Sequence, residues 1–154
     1  MASVTYEEIF SNFLGNITDY NLQENLSISD SEELMTEYLH KAASHTYTAH
    51  IFSSHKLHDE VHLFEYEMEI STDDDADKEF VITALAKWMV YEWLHKQVRA
   101  VTLTAQVFGG KELSAFSQAN HLAQLRGLQD DVYAEARRYI CDRGTFVNSY
   151  LGGA

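Results

Sequence analysis

Residues 80–94 read FVITALAKWMVYEWL. Twelve of these 15 positions are apolar and the run contains neither Pro nor Gly, so its composition predicts a helix. A helix that is apolar on nearly all sides cannot lie on the surface of a small monomer. Two interpretations follow: the helix is the centre of a bundle, or it contacts both its own bundle and a neighbouring subunit. A membrane span is disfavoured, because Lys87 and Glu92 interrupt a run shorter than the roughly 20 apolar residues that cross a bilayer.

The length and composition of the chain favour a single helical domain. Its 154 residues can bury a core of ordinary size. The chain contains no proline, whereas about 5% is usual. Since proline is the commonest helix breaker, its absence favours an all-α fold.

Charge is unevenly distributed along the chain, whose formal net charge is −13. Residues 1–79 carry 18 Asp and Glu against 3 Lys and Arg, a net of −15, and residues 80–154 carry 6 against 8, a net of +2. An acidic surface of this kind repels nucleic acid. The acidic half is therefore a solvated face, or a surface that matches a basic partner or must not bind passing DNA.

The single cysteine and the N-terminal sequence indicate the cellular compartment in which we expect the protein. Cys141 stands alone, so no internal disulfide forms, which fits a reducing environment. Glu7 and Glu8 lie where a secretory signal would be apolar. We therefore expect a protein kept in the cytosol without a membrane anchor.

Capping signals open the first two helices. Thr5 and Glu8 have the spacing of a capping box and begin a helix that Gly15 ends. A second capping box over 29–32 leads into a helix that runs to about Phe52.

Two further helices follow in the second half. Acidic residues at 72–77 favour the start of the apolar helix, which continues to Val107 and stops at two glycines, 109–110. The last helix begins at Ser117 or Ala119 and ends at Gly144.

The connection between these pairs of helices shows a different period. Apolar residues alternate there with glutamates: Phe64, Tyr66, Met68 and Ile70 with Glu65, Glu67 and Glu69. Strict alternation is typical of a half-buried strand, but Glu and Met are poor strand formers and no partner strand is evident. We interpret the segment as an ordered connection that includes at most a short strand.

These signals together predict an all-α fold. It is a bundle of about four helices with one long central hydrophobic helix, an acidic and His-rich connection at 55–77, and an extended C-terminal tail. The domain covers 1–144, and 145–154 form the tail.

Two short motifs resemble metal sites. His58 and His62 have the i, i+4 spacing of the zincin motif, but Asp59 replaces its glutamate and the segment is weakly helical, which favours a solvated loop. Acidic residues at 73, 75 and 77 resemble half of a calcium loop, but Lys78 stands where that loop needs glycine. We interpret them as a helix N-terminus.

A pair of Glu-x-x-His motifs, Glu37–His40 and Glu92–His95, is reminiscent of di-iron bundles. The chain is rich in Glu and His, so chance accounts for two such pairs. An ion pair of Glu92 with Lys96, one turn away, explains the charge inside the apolar helix. We therefore predict no metal, no cofactor and no catalytic residues.

Several segments taken together resemble a known family. They are WMVYEWL at 88–94, FSQANHLAQLR at 116–126, ELMTEYLHKA at 33–42, ITDY at 17–20, and the aromatic and leucine positions Phe10, Phe13 and Leu14. In their order and spacing the chain resembles the head-to-tail connector (neck adaptor) proteins of tailed bacteriophages, particularly those infecting Firmicutes. It departs from them at His95-Lys96, where a proline-containing continuation is expected, and in a longer insert at 55–77.

This resemblance implies a non-enzymatic virion protein. The family forms a ring, commonly of twelve subunits, which sits beneath the portal protein, extends the DNA channel and meets the next neck or tail protein. DNA passes through without specific binding. The protein would then be found in the neck of the virion, and in the host cytoplasm during assembly.

The resemblance also gives candidate contact residues. The faces of Trp88, Tyr91 and Trp93 that the bundle leaves free would lie against the next subunit of the ring. In the tail, apolar residues are candidates for docking on the portal: Phe146, Val147, Tyr150 and Leu151. The alternative for the tail is a frayed terminus.

Two other functions stay open on the sequence. One is a metal-binding bundle enzyme with iron or zinc. The other is an acidic helical protein that binds a basic partner, for example as a mimic of DNA.

Overall fold

The structure, a computed structural model, describes residues 1–17, 27–108 and 112–150, with side chains throughout except at 104–108, 112–118 and 144–150. In chain order its elements are β1 (Ala2–Thr5), α1 (Tyr6–Gly15), α2 (Ile28–Ser44), α3 (Thr46–Ala49), β2 (Phe52–His58), β3 (Leu63–Met68), α4 (Asp74–Phe108) and α5 (Glu112–Tyr150).

The fold is mixed α/β, so the predicted all-α bundle is wrong. Besides its helices, the described chain contains a three-stranded antiparallel sheet in the order β1-β3-β2. The alternation at 64–70 did mark a strand, β3, and β3 is the centre of the sheet. The sequence did not predict its partner strands, because β1 has only four residues and β2 reads FSSHKLH, without regular alternation.

The sheet packs one face on the helices. Val4 of β1 pairs with Phe64 of β3, which pairs in turn with Leu57 of β2. Val4 and Phe64 are buried and Leu57 is partly buried. Because side chains alternate across a strand, Glu67 is placed on the opposite, solvated face.

Helix α2 ends earlier than predicted, at Ser44 rather than near Phe52. His45 has extended backbone angles, φ −64° and ψ 139°, so it interrupts the helix. Helix α3 is a single turn, and β2 then begins. The start is also displaced: the N-cap is Ser27, whose hydroxyl accepts a hydrogen bond from the Asp30 amide at 3.1 Å.

Helix α4 is the centre of the fold. It contacts α1, α2, α5 and β1, and the side chains of Val81, Leu85, Trp88 and Met89 are fully buried. The prediction of a central helix at 80–94 is therefore confirmed for this chain, and contact of the same helix with a neighbouring subunit stays a prediction. No residue of 80–94 is exposed, because other elements of the same chain cover this part of α4.

Helix α5 is longer than predicted at both ends. It begins at Glu112 and continues through Gly144 to Tyr150, so the predicted extended tail is wrong over 145–150. A glycine costs about 1 kcal/mol in a helix interior, which one long helix tolerates. Residues 151–154 lie outside the described residues.

A buried ion pair joins the start of α4 to the C-terminal part of α5. Asp77 is 3% exposed, and its carboxylate accepts hydrogen bonds from Arg143, from the Ser71 hydroxyl at 2.6 Å and from the Thr72 hydroxyl at 3.0 Å. Burial alone would raise the pKa of Asp77, but these hydrogen bonds together lower it. The Arg143 guanidinium also lies 4.3 Å from the centre of the Phe80 ring.

Replacing Arg143 with methionine should destabilise the fold strongly. Removing one partner leaves the Asp77 charge buried without its cation, which costs about 3 kcal/mol. Urea unfolding followed by circular dichroism measures the loss. The matched control is Arg138→Met on the same helix, because Arg138 is exposed. Equal stability of the two variants would contradict the proposed importance of the pair.

Candidate functional site

The parts of α4 and α5 furthest from the core form a helical hairpin in which most of the described side chains are exposed. Nε2 of Gln129 in α5 lies 2.9 Å from Nδ1 of His95 in α4, so the two antiparallel helices are in contact at these residues. We call residues 95–108 of α4 and 112–129 of α5 the distal hairpin; it begins at the His95–Gln129 contact. Among the side chains of α4 that the structure describes, the last buried one is Val98, and the helix ends at Phe108. The helical turns of α4 between Val98 and Phe108 extend about 15 Å beyond the core.

The distal hairpin exposes apolar surface. Among its described side chains, none is buried at 99–103 or at 119–129. Leu103 is 61% exposed, and Leu128 is 48% exposed. The pairing of the two helices shields Leu122 and Leu125 in part. Apolar side chains left uncovered on a projecting element are typical of an interaction surface.

The distal hairpin is also the cationic part of the molecule. Residues 95–129 contain four Lys and Arg and one Glu, a net of +3, which leaves −16 for the rest of a chain whose total is −13. Arg99 is exposed and forms no ion pair with any described residue. It shares a helix face with Leu103, four residues on.

The three candidate interface residues occupy different environments. Trp88 is fully buried, so its ring has no free face for a neighbouring subunit. Tyr91 is partly buried, with its ring centre 5.7 Å from that of Trp88 and 5.5 Å from that of Tyr133. Trp93 packs partly buried against the core. Tyr91 and Trp93 keep exposed area, and their role in assembly stays a prediction.

Around Trp88 an aromatic cluster joins three helices and the residue that ends α2. The imidazole of His45 stacks on the indole with ring centres 3.7 Å apart, and Tyr47 of α3 and Tyr133 of α5 complete the group. Nδ1 of His45 and Nε1 of Trp88 are buried and without hydrogen-bond partners in the described chain. Burial lowers the pKa of His45, and the nearby Glu92 carboxylate opposes that shift.

Acidification should destabilise the fold through His45. The unfolded histidine takes up a proton near its ordinary pKa of about 6.5, whereas the buried one resists protonation. Stability is therefore complete above that pH and falls as the pH decreases toward the lowered native pKa. His45→Phe preserves the stack and should flatten this decline in urea-unfolding curves measured between pH 7 and 5. If the exposed control His121→Gln flattens it equally, His45 is not the source.

The zincin-like motif does not form a helix. His58 is the last residue of β2, and 59–62 form the turn of the β2–β3 hairpin. Nε2 of His58 lies 2.9 Å from Oε2 of Glu65, across the strand pair. His62 has a positive φ of 49°, a conformation uncommon for residues other than glycine.

In the two Glu-x-x-His motifs, Glu37–His40 and Glu92–His95, the contacts of the described side chains do not involve a metal site. Glu37 accepts from Lys41 at 2.6 Å. Glu92 and Lys96, both in the described part of the chain, do not form the predicted ion pair. Lys96 Nζ lies 5.7 Å from the centre of the Tyr38 ring. Among the described residues, no group of three His, Cys, Asp or Glu side chains converges to hold a metal ion.

The acidic residues at the start of α4 have different roles. Asp73 accepts from the Ala76 amide at 3.2 Å and so caps the helix, as the sequence predicted for the segment. Asp77 is the buried partner of Arg143, which the sequence did not indicate. Those two residues are 66 positions apart, so no local pattern connects them.

A polar network fixes the turn of the β2–β3 hairpin against the helices. The Tyr6 hydroxyl donates to Oδ1 of Asp59 at 2.6 Å, and Nε2 of His40 lies 2.9 Å from the same oxygen. The Tyr6 amide donates to the His62 carbonyl at 2.9 Å. The hydrogen bonds from Tyr6 and His40 lower the pKa of Asp59, and burial with the bond to that carboxylate raises the pKa of Tyr6.

This turn forms one wall of a groove that measures about 610 Å³. We call it the α1–α2 groove, since those two helices provide its other walls. Its principal lining residues are Glu7, Phe10, Leu14, Glu32, Met35 and Val61. The groove thus combines an apolar floor with carboxylates.

Three of the tail docking candidates, Phe146, Val147 and Tyr150, lie within α5, in a part whose side chains are not described. Leu151 lies outside the described residues.

Comparison with protein-family models, with curated proteins and with solved structures finds no match to this chain. In the described part of the chain, no helix is long and apolar enough to span a bilayer.

Proposed function

We propose that this chain is a structural head-to-tail connector of a tailed bacteriophage. In this proposal its copies form a ring beneath the portal, extend the DNA channel and present a surface to the next neck or tail protein. The role is architectural rather than catalytic. The support is the ordered set of segments that resembles the connector family, together with the distal hairpin.

The single observation that carries the proposal is the largely exposed distal hairpin. In an isolated chain, the part of the two helices that extends past the core buries little apolar surface, and Leu103 is mostly exposed. Such a surface is typical of an element that contacts another molecule. A ring subunit needs such an element, because each copy must present two different surfaces to its two neighbours.

The charge of the body fits passage of DNA. Outside 95–129 the chain carries a net charge of −16. Solvated glutamates such as Glu67 and Glu69 remain exposed. A channel wall of this sign would repel phosphates and let DNA slide without being held.

Electron microscopy of the purified chain, alone and mixed with the portal of the phage that encodes it, tests the proposal. We expect closed rings with a central channel, either free or seated on the portal. Native mass spectrometry of the same samples gives the number of copies. A chain that stays monomeric and does not bind the portal would contradict the connector role, and so would stoichiometric iron or zinc in untagged protein.

Portal docking is expected to depend on the end of α5. Removing 145–154 should abolish portal binding in native mass spectrometry, because the candidate anchors Phe146 and Tyr150 are lost. Truncation could also loosen the helix end, so the double variant F146A/Y150A serves as a second test. Its folding is checked by circular dichroism. Wild-type binding by both variants would show that the portal contact lies elsewhere.

A further inference from the structure

The α1–α2 groove has the chemistry of a site for an apolar and cationic segment. Phe10 and Met35 are buried at its floor, and Leu14 is partly buried. At its rim, Glu7 and Glu32 are exposed, and neither is in an ion pair with a described residue. Its volume of about 610 Å³ lies within the usual range for binding clefts.

Apolar surface continues outward from the groove. Val61, at the turn of the β2–β3 hairpin, is 69% exposed. Ile28 is 81% exposed and lies one turn before Glu32 on the same face of α2. Two large apolar side chains thus stand at the edge of a groove that already contains carboxylates, and together they would be covered by a partner.

The wall that carries Val61 is fixed in place before any partner binds. Asp59, two residues earlier, accepts from Tyr6 at 2.6 Å and contacts His40 at 2.9 Å. His62, one residue later, has φ 49° and its carbonyl accepts from the Tyr6 amide. A strained residue held by several contacts is typical of a binding clamp, and a rigid wall lowers the entropic cost of binding.

The complementary chemistry is present elsewhere on the same chain. On the distal hairpin, Arg99 and Leu103 are exposed side by side, one turn apart on α4. The segment 95–129 is the part with a net charge of +3, while residues 1–79, which contain the whole groove, carry −15. A guanidinium with an adjacent leucine is the combination that Glu32 and the apolar floor would accept.

We infer that the α1–α2 groove of one copy receives the Arg99 and Leu103 face of the distal hairpin of a second copy. Arg99 pairs with Glu32 at the rim, and Leu103 covers apolar surface beside Val61. The two surfaces are different, so the contact is head-to-tail and generates a ring when the rotation closes. The inference rests on the proposed connector function and specifies the subunit contact.

Charge reversal at exposed positions tests this contact. Arg99→Glu and Glu32→Arg should each weaken self-association at least about tenfold, since each places like charges together. Combining the two reversals should restore much of the association, because the pair is re-formed with opposite polarity. Association is measured by sedimentation velocity over a concentration series, or as copies per portal ring by native mass spectrometry where assembly needs the portal.

Matched controls are available on the same helices. Glu33→Arg changes the same charge on α2, but Glu33 is exposed outside the groove. Arg138→Glu changes an exposed arginine of α5 outside the distal hairpin. Both should associate like the wild type, and circular dichroism should show that every variant in the series is folded. Leu103→Ser tests the apolar part of the contact without altering charge and should also weaken association.

The outcomes separate this contact from the connector function. Rings that form equally well in Arg99→Glu and Glu32→Arg would overturn the contact and leave the connector role standing. Loss of association in Arg99→Glu without any loss in Glu32→Arg, or failure of the combined variant to recover, would place the hairpin on another surface and also overturn it. A wild-type chain that forms no ring, free or on the portal, would instead reject the connector role.

Discussion

The burial of residues 80–94 of helix α4 is the constraint on which the rest of the structure depends. Burying one large apolar side chain contributes about 1.5–3 kcal/mol, and Leu85, Trp88, Met89 and Leu94 are all buried here. No single neighbour can cover a helix with so many apolar faces. The fold therefore surrounds α4 with α1, α2, α5 and β1, and the sheet is held against the helices at β1.

Hydrophobic burial is not directional, and polar contacts between distant segments set the orientation of the elements. The Asp77–Arg143 pair joins the start of α4 to the last third of α5, and Lys87 and Glu135 form a further ion pair between the same helices. Hydrogen bonds from Tyr6 hold the β2–β3 turn against α1. Each contact lies at an edge of the core, where apolar packing alone would leave freedom to slide.

The division of charge gives the molecule two surfaces of opposite character. The body is strongly acidic, and the distal hairpin is cationic with exposed leucines. The acidic body would repel DNA, and the cationic distal hairpin would attract the acidic body of another copy. In the proposed ring, such a division would favour assembly between copies and oppose adhesion to nucleic acid.

The sequence by itself determined the central helix, its acidic start and its end before the glycines at 109–110, because composition and capping act locally. The β3 strand was also legible from its alternation. Tertiary structure alone decided the partners of β3, since strand pairing joins residues far apart in the chain and short strands such as β1 lack a pattern of their own. It also decided the Asp77–Arg143 pair, the network around Asp59 and the passage of α5 through Gly144. Those features depend on long-range contacts, which no local spacing in the sequence can record.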